Sequence, residues 1–443
     1  MNLVYKVNDK PKFPQMIVFA LQQLLAILAA TIAVPSIVGN GMSQSAALFG
    51  AGVGTIVYLL FTKFRSPVFL GSSFAFLGSM FAAFGGAASV SVGYAGLIIG
   101  AAFAGLVYVI IAVIVKVAGV RWISKLMPPV VIGPTVAIIG LSLAGNAIGN
   151  SFGFGSPQAS YTMNGAMWVN FACAMVTLLT VIFVSVKGKK MMKLIPFIIG
   201  IVAGYLVALV FTLIGKSIGD DSLKILDFSA FSAMKWVPDF TFIEAFKGFN
   251  ALDSKYIATI AVAYVPVAFV VFAEHIADHK NLSSIIDHDL LEDPGLHCTL
   301  LGDGIGSIVG AFFGGCPNTT YGESVGCVAI TGNASVVTIL ATAILAIAAS
   351  FCGPFVTFLS TIPTCVMGGV CITLYGFIAV SGLKMLQPVD LNDHRNLFTA
   401  SVILIAGIGG MTMNIGSVTL TEVACALILG VIVNLLFNRP AKQ

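Results

Sequence analysis

The sequence predicts an all-α polytopic membrane protein with 14 transmembrane segments in two inverted seven-segment repeats, and three observations carry that reading. Only 9% of the 443 residues are charged and 58% are hydrophobic, whereas an ordinary soluble domain is about 25% charged. The apolar residues fall in blocks of about 16 to 25, the length a helix needs to cross a hydrocarbon core about 30 Å thick. The basic residues are segregated between the gaps, which fixes both the parity of the spans and their direction. Runs such as Ala95 to Val115 lack the strict alternation of a barrel strand, so the spans are helical.

The N-terminal tail, residues 1–13, carries Lys6, Lys10 and Lys12 ahead of an apolar run that continues through Pro35 with no small-residue cleavage site. It reads as the first membrane helix rather than a signal peptide. Breaks in the apolar pattern place the first seven spans at 16–38, 45–62, 67–84, 94–117, 127–147, 165–186 and 193–215. The polar stretch 216–255 follows, and then seven more spans at 256–278, 296–313, 316–331, 335–356, 360–382, 396–413 and 418–437, ahead of a short tail, 438–443. With a cytoplasmic N-terminus, 17 of the 22 Lys and Arg residues lie on the inner side. The other five, Lys216, Lys224, Lys235, Lys247 and Lys255, share the one long outer loop. An odd number of spans scrambles this division, so both termini are expected inside an inner (plasma) membrane.

The net charge of +4 comes from loop lysines and implies no nucleic-acid partner. The eight cysteines are scattered, seven of them after position 297, with no C-x-x-C pair. They read as small packing residues rather than a disulfide or zinc framework.

Two halves of seven spans each must be inverted relative to one another, an arrangement common in secondary transporters. Weak echoes fit it: Pro128-x4-Gly133 opens the fifth span and Pro363-x4-Gly368 the twelfth. The third spans of the halves read SPVFLGSSFAFLGSM from Ser66 and GGCPNTTYGESVGCVAITG from Gly314. Residues of that kind make poor continuous helices, and irregular backbone at membrane depth survives only where it lines a cavity or is buried in protein. Broken segments at matching positions of two halves point to a binding site near the midplane.

Glu274, Asp278 and Glu323 lie in these apolar stretches with no Lys or Arg beside them. A charged residue at the bilayer centre costs about 2.5–3.5 kcal/mol on the insertion scale, so such acids are candidates for binding a polar substrate or moving a proton. Glu274 and Asp278 are four apart and share a helix face. The competing reading is a solvated helix end at the inner interface; it leaves the eighth span short if applied to Glu274 and stays open for Asp278. Asp303 is read either as a helix–helix hydrogen-bonding residue or as part of a proton path. His275 and His279 have metal-ligand spacing, a weak signal without an H-E-x-x-H string or a nearby cysteine, and no metal site is expected. The GDGIG run from Gly302 reads as tight helix packing rather than a nucleotide loop. Phe74, in GSSFAF, is placed to hold a flat ligand, and Tyr375 reads equally as a core tyrosine or a site residue.

These strings together resemble the nucleobase–ascorbate transporter family, the second class of nucleobase/cation symporters, and within it the bacterial branch that carries uracil. The resemblance spans nearly the whole chain: LQQLLAILAATIAVP from Leu21, VFLGSSFAF from Val68, AEHIADH from Ala273, DPGLH from Asp293, PNTTYGESVGCVAITG from Pro317, LYG from Leu374 and NIG from Asn414. Glu323-x2-Gly326-x4-Thr331 is its most specific part. It implies short strands in segments 3 and 10, a core domain (14–117 and 256–356), a gate domain (118–215 and 357–437), an extracytoplasmic loop at 216–255 and a homodimer. It also implies that Glu274 and Glu323 bind a base through their side chains. Ala30, Phe74, Tyr321 and Gly322 line the site, Tyr375 approaches it from the gate, and Glu274, Asp278 and Glu323 handle the coupling proton.

The expected activity is proton-coupled uracil import by alternating access, with protons as the coupling ion and no other cofactor. Two departures qualify it: Asp278 stands where uracil carriers often have His, as in purine-carrying relatives, and Ser324 stands where Asn is usual. A purine symporter for xanthine or uric acid therefore remains the alternative, and an anion exchanger or channel on the related fold is a more distant one. No nucleophile–base set points to an enzyme.

Overall fold

The computed structural model describes residues 3–119, 122, 126–154, 156–189, 192–415 and 418–437. Among these residues, nine helices are long and apolar enough to cross a membrane, at Phe13–Val38, Gln44–Phe61, Val90–Ala118, Pro129–Ser151, Gly165–Lys187, Pro196–Ile218, Ser254–Ile286, Leu291–Gly314 and Thr364–Lys384. A tenth is counted if Val336–Ser350 and Gly353–Ser360, bent by 80° at their junction, form one span. The four other expected spans are shorter. The third and tenth each open with a strand, and the last two are the helices His394–Ile408 and Glu422–Phe437.

Local signals set many of these boundaries. Ser43, Ser89, Asn164 and Asp253 each accept a bond from a backbone N–H three residues on, capping the helices that begin after them. The eighth span runs eight residues beyond its expected end, to Ile286, because Lys280, Asn281 and Ser283 continue a helix that the apolar pattern alone stops at Asp278.

Helix Gln44–Phe61 lies along helix Leu296–Gly314, which also packs on Val90–Ala118. The approach is so close that a Cβ on Gly54 would sit 2.7 Å from the Gly306 carbonyl oxygen, and one on Gly306 would sit 2.9 Å from that of Gly54. The GDGIG run is thus a packing surface, as its composition predicts. Helix Thr364–Lys384 instead packs on Pro129–Ser142, Ala144–Ser151 and Gly165–Lys187. The N-terminal tail is tied down: Val4 N–H donates to the Gly332 carbonyl (2.8 Å), and Ala334 N–H donates to that of Tyr5 (2.9 Å). Six cysteines are buried, Cys298 is half-buried and Cys352 is exposed, so the packing reading does not extend to Cys352.

In the polar stretch 216–255, helix Thr241–Gly248 is fastened to the start of Val90–Ala118 by Ser91, whose hydroxyl donates to Glu244 at 2.5 Å. Lys247 donates to the same carboxylate at 2.6 Å, and these two contacts hold it below the usual carboxylate range.

Candidate substrate site

The site is built around two three-residue strands from opposite halves of the chain. Leu70–Ser72 pairs antiparallel with Asn318–Thr320, Leu70 opposite Thr320 and Ser72 opposite Asn318. Backbone bonds from Ser73 N–H to Pro317 (2.9 Å) and from Tyr321 N–H to Phe69 (3.3 Å) extend the pairing. Side chains of the second helix satisfy part of the remaining backbone: Leu70 N–H donates to Thr55 Oγ1 at 2.9 Å. In the other direction, Asn318 Nδ2 donates to the Gly50 carbonyl at 3.1 Å. This is how extended backbone is tolerated at membrane depth.

Each strand feeds a short helix, Phe74–Gly85 in the first half and Gly322–Thr331 in the second. Neither start has a side-chain cap. The first residues of both border a cavity of about 340 Å³, within the size range of small-molecule sites. Two helix N-termini therefore bring partial positive charge and backbone donors to one space.

One wall of the cavity carries the polar groups, with Glu274, Asp278, Tyr321, Gly322 and Glu323 beside the Phe74 ring. The facing wall is apolar, with Val136, Ile139, Phe197, Leu374, Phe377 and Met385. The three acids thus converge although they come from two separate elements. All three are half-buried, and among the described residues none forms an ion pair. Asp278 accepts a hydrogen bond from Thr320 Oγ1 at 2.9 Å, which ties the acid-bearing helix to the second strand. The hydroxyl of Tyr321 donates to the Ser72 carbonyl at 2.8 Å, crossing between the two strands.

Two of the expected residues do not border the cavity. Ala30 is buried within Phe13–Val38. Tyr375 is buried behind Phe74, its ring edge-on to that ring at 5.9 Å between centroids.

About 100° round the same helix from the acids, the neighbouring face is occupied by imidazoles. His275 Nδ1 lies 2.7 Å from Asp303 Oδ2, and His275 Nε2 lies 3.0 Å from Thr299 Oγ1. His279 Nδ1 meets the His275 carbonyl at 2.8 Å, and His279 Nε2 meets the Tyr58 hydroxyl at 2.7 Å. All four ring nitrogens thus have protein partners. Asp303 is a helix–helix hydrogen-bonding residue, the first of its two readings.

Several contributors escape sequence reasoning. Gln23 Nε2 donates to Ser324 Oγ at 2.5 Å, and Phe69 N–H donates to the same oxygen at 3.0 Å, so the unusual serine holds the start of helix Gly322–Thr331 against the first helix and the first strand. The signal available was Gln23 itself, an amide in an apolar run. Thr320 was legible only as part of the PNTTYG string. Phe197 and Phe377 were indistinguishable from lipid-facing aromatics.

Chemically, carboxyl groups that accept when ionised and donate when protonated stand beside uncapped backbone donors and an aromatic ring. This arrangement suits a flat, neutral molecule with a polar edge. The chain compares with known proteins as follows. Residues 14–416 match the profile of a group described as Permease family. The chain is 41% identical to a uracil permease of Bacillus caldolyticus, over 99% of this chain and 95% of that one. It is 33% identical to a uracil permease of Escherichia coli (strain K12), over 98% and 93% of the two chains. Its fold is similar to the transmembrane domain of a cyanobacterium bicarbonate transporter, BicA, with a TM-score of 0.63 at 15% identity, covering 97% of this chain and 100% of that one. It is also similar to the murine Slc26a9 anion transporter, with a TM-score of 0.66 at 13% identity, covering 97% and 69%.

Proposed function

The chain belongs to the Permease family, a family of transporters and not of enzymes, and from that premise we propose that it imports uracil with a proton by alternating access. The observation that carries this reading is the convergence of Glu274, Asp278 and Glu323 on one cavity between two half-helices. Uracil presents N–H donors and carbonyl acceptors along one edge. A carboxylate meets the donors and a protonated carboxyl also meets an acceptor. A base that binds best to one protonation state travels with that proton.

In this reading Glu274 and Glu323 are the direct ligands, and Phe74 packs on the base with Tyr375 behind it. Tyr321 and Gly322 offer backbone, Ala30 supports the wall from the first helix, and Asp278 shares the proton of Glu274. The polar wall belongs to a core domain and the apolar wall to a gate domain; the two packing groups of helices described above support that division. Fourteen inverted spans, an inner-membrane location, cytoplasmic termini and a homodimer complete the proposal, on the strength of the lysine distribution and the resemblance. Asp278 favours the second reading, a purine symporter, because it occupies the position at which purine carriers resemble this chain. The acids disfavour an anion exchanger, whose substrate they would repel.

The test is uptake of labelled uracil by the purified protein in liposomes under an imposed pH gradient, competed by xanthine and uric acid. Uptake is expected to rise on outside acidification and to collapse with a protonophore. Uptake that needs sodium and ignores the gradient would refute proton coupling, and preferential competition by xanthine would move the substrate to the purines.

A further inference from the structure

A second cavity of about 100 Å³ abuts the first. The two share three lining residues, Phe74, Ala75 and Ile139, and diverge from there in opposite directions. Along the helix from Pro129, the first touches Val136 and Ile139, while the second touches Ile139, Ser142 and, one turn further, Asn146. Along the helix from Phe74, only the second continues, to Gly78 and Ser79. The first extends instead to Ser381 and Met385, at the Lys384 end of its helix, the side that the lysine distribution places inside. Asn146 and Glu422 therefore lie toward the outer face, separated from the central acids by a layer formed by one aromatic, one β-branched and one small side chain.

We propose that this second cavity is an outer subsite for the transported base. The Asn146 amide and the Glu422 carboxylate receive its polar edge, and the Phe74–Ala75–Ile139 layer is the barrier that must part for the base to reach Glu274 and Glu323. Asn146 offers one donor group and one acceptor, and Glu422 accepts, which suits a neutral base bearing both N–H and carbonyl groups. Its present volume, under a third of the central cavity's, is that of the subsite with the barrier closed. The proposal rests on the uracil-transport reading and adds to it a station that equilibrium binding at the central cavity does not use.

The experiment compares two readouts in Glu422→Gln. The KM for uracil uptake from outside is expected to rise about tenfold, the effect of one lost charge-assisted hydrogen bond. Equilibrium binding of uracil to the purified protein, reached through the inner cavity, is expected to change less than about twofold by the same reasoning. An unchanged uptake KM, or binding lost in step with uptake, overturns the subsite. A second measurement is independent of that variant. In a Cys352→Ser background, Ser142→Cys, which lines the second cavity without contributing a proposed ligand, is expected to react with a membrane-impermeant maleimide added outside, and saturating uracil is expected to slow that reaction. No reaction, or a rate indifferent to uracil, overturns the proposal. If the unaltered protein neither binds nor carries uracil, the transport reading fails and the subsite with it; if it does both and the variants behave as wild type, only the subsite fails.

Discussion

The two broken segments share a geometry and differ in chemistry. Each passes from a three-residue strand to a short helix whose start borders the central cavity, and the strands pair with each other across the two halves. The first half's segment contributes Ser73, Phe74 and Ala75, with no ionisable group; the second contributes Tyr321, Gly322 and Glu323. The first also interposes a tight turn at Phe74–Phe76 before its helix, where the second enters helix directly at Gly322. Repeated backbone thus supplies the frame twice, while the titratable chemistry comes from one half alone. The site is pseudo-symmetric in shape and asymmetric in charge.

The sharpest way to break this comparison is to neutralise the charged side. Glu323→Gln is expected to weaken uracil binding by about 1.5–3 kcal/mol, the range for hydrogen bonds to charged groups, measured by calorimetry on properly inserted protein. Unaltered affinity would remove Glu323 from the site and with it the chemical difference between the halves.

The shared frame is tested with glycine pairs. A Cβ on Gly71 would run into the Tyr321 ring, whereas one on Gly322 has as its nearest neighbour Asp278 Oδ1 at 3.8 Å. Gly71→Ala is therefore expected to destabilise the protein by about 1–3 kcal/mol, as overpacking does, and Gly322→Ala to fall within about 0.5 kcal/mol. Thermal unfolding in detergent, followed by tryptophan fluorescence, distinguishes them; equal losses would mean that the two strands are not locked by the Tyr321–Ser72 contact.

The smallest expected effect on affinity belongs to Asp278→Asn. Its partner Thr320 Oγ1 can donate to the amide oxygen as it does to the carboxylate, so equilibrium binding is expected to move less than about threefold, a fraction of one hydrogen bond. Proton-driven accumulation in liposomes is expected to fall further than that. Equal loss of both makes Asp278 a direct ligand, and no loss makes it a structural partner of the strand.

The frame was legible because the composition that prevents a continuous helix is local: Gly, Ser and Pro within 15 residues of each other mark both broken segments, joined by Thr in the second. The acids were legible for the same reason, since an isolated carboxylate in an apolar run is visible without knowledge of its neighbours. What the sequence hid is pairwise. The His275–Asp303 contact joins residues 28 apart and Gln23–Ser324 residues 301 apart, and no period or spacing connects such partners. Length was also misjudged where polarity and helix part company: Ser254–Ile286 outruns its apolar core, and the eleventh span turns by 80° at Cys352, where apolar content continues. The short strand pair Met413–Ile415 and Val418–Leu420 straddles the expected gap, taking in the last residue of the thirteenth span and the first three of the fourteenth.

The imidazoles beside the acids have a consequence for motion. His275 and His279 fasten one face of Ser254–Ile286 to Asp303, Thr299 and Tyr58, so the azimuth of that helix is locked, and Glu274 and Asp278 cannot swivel away from the cavity without breaking buried hydrogen bonds. Backbone amides near His275 should accordingly exchange with deuterium only through a large cooperative opening, while those in helices His394–Ile408 and Glu422–Phe437 exchange through smaller ones. A protein built this way carries its acids as cargo on a stiff strut.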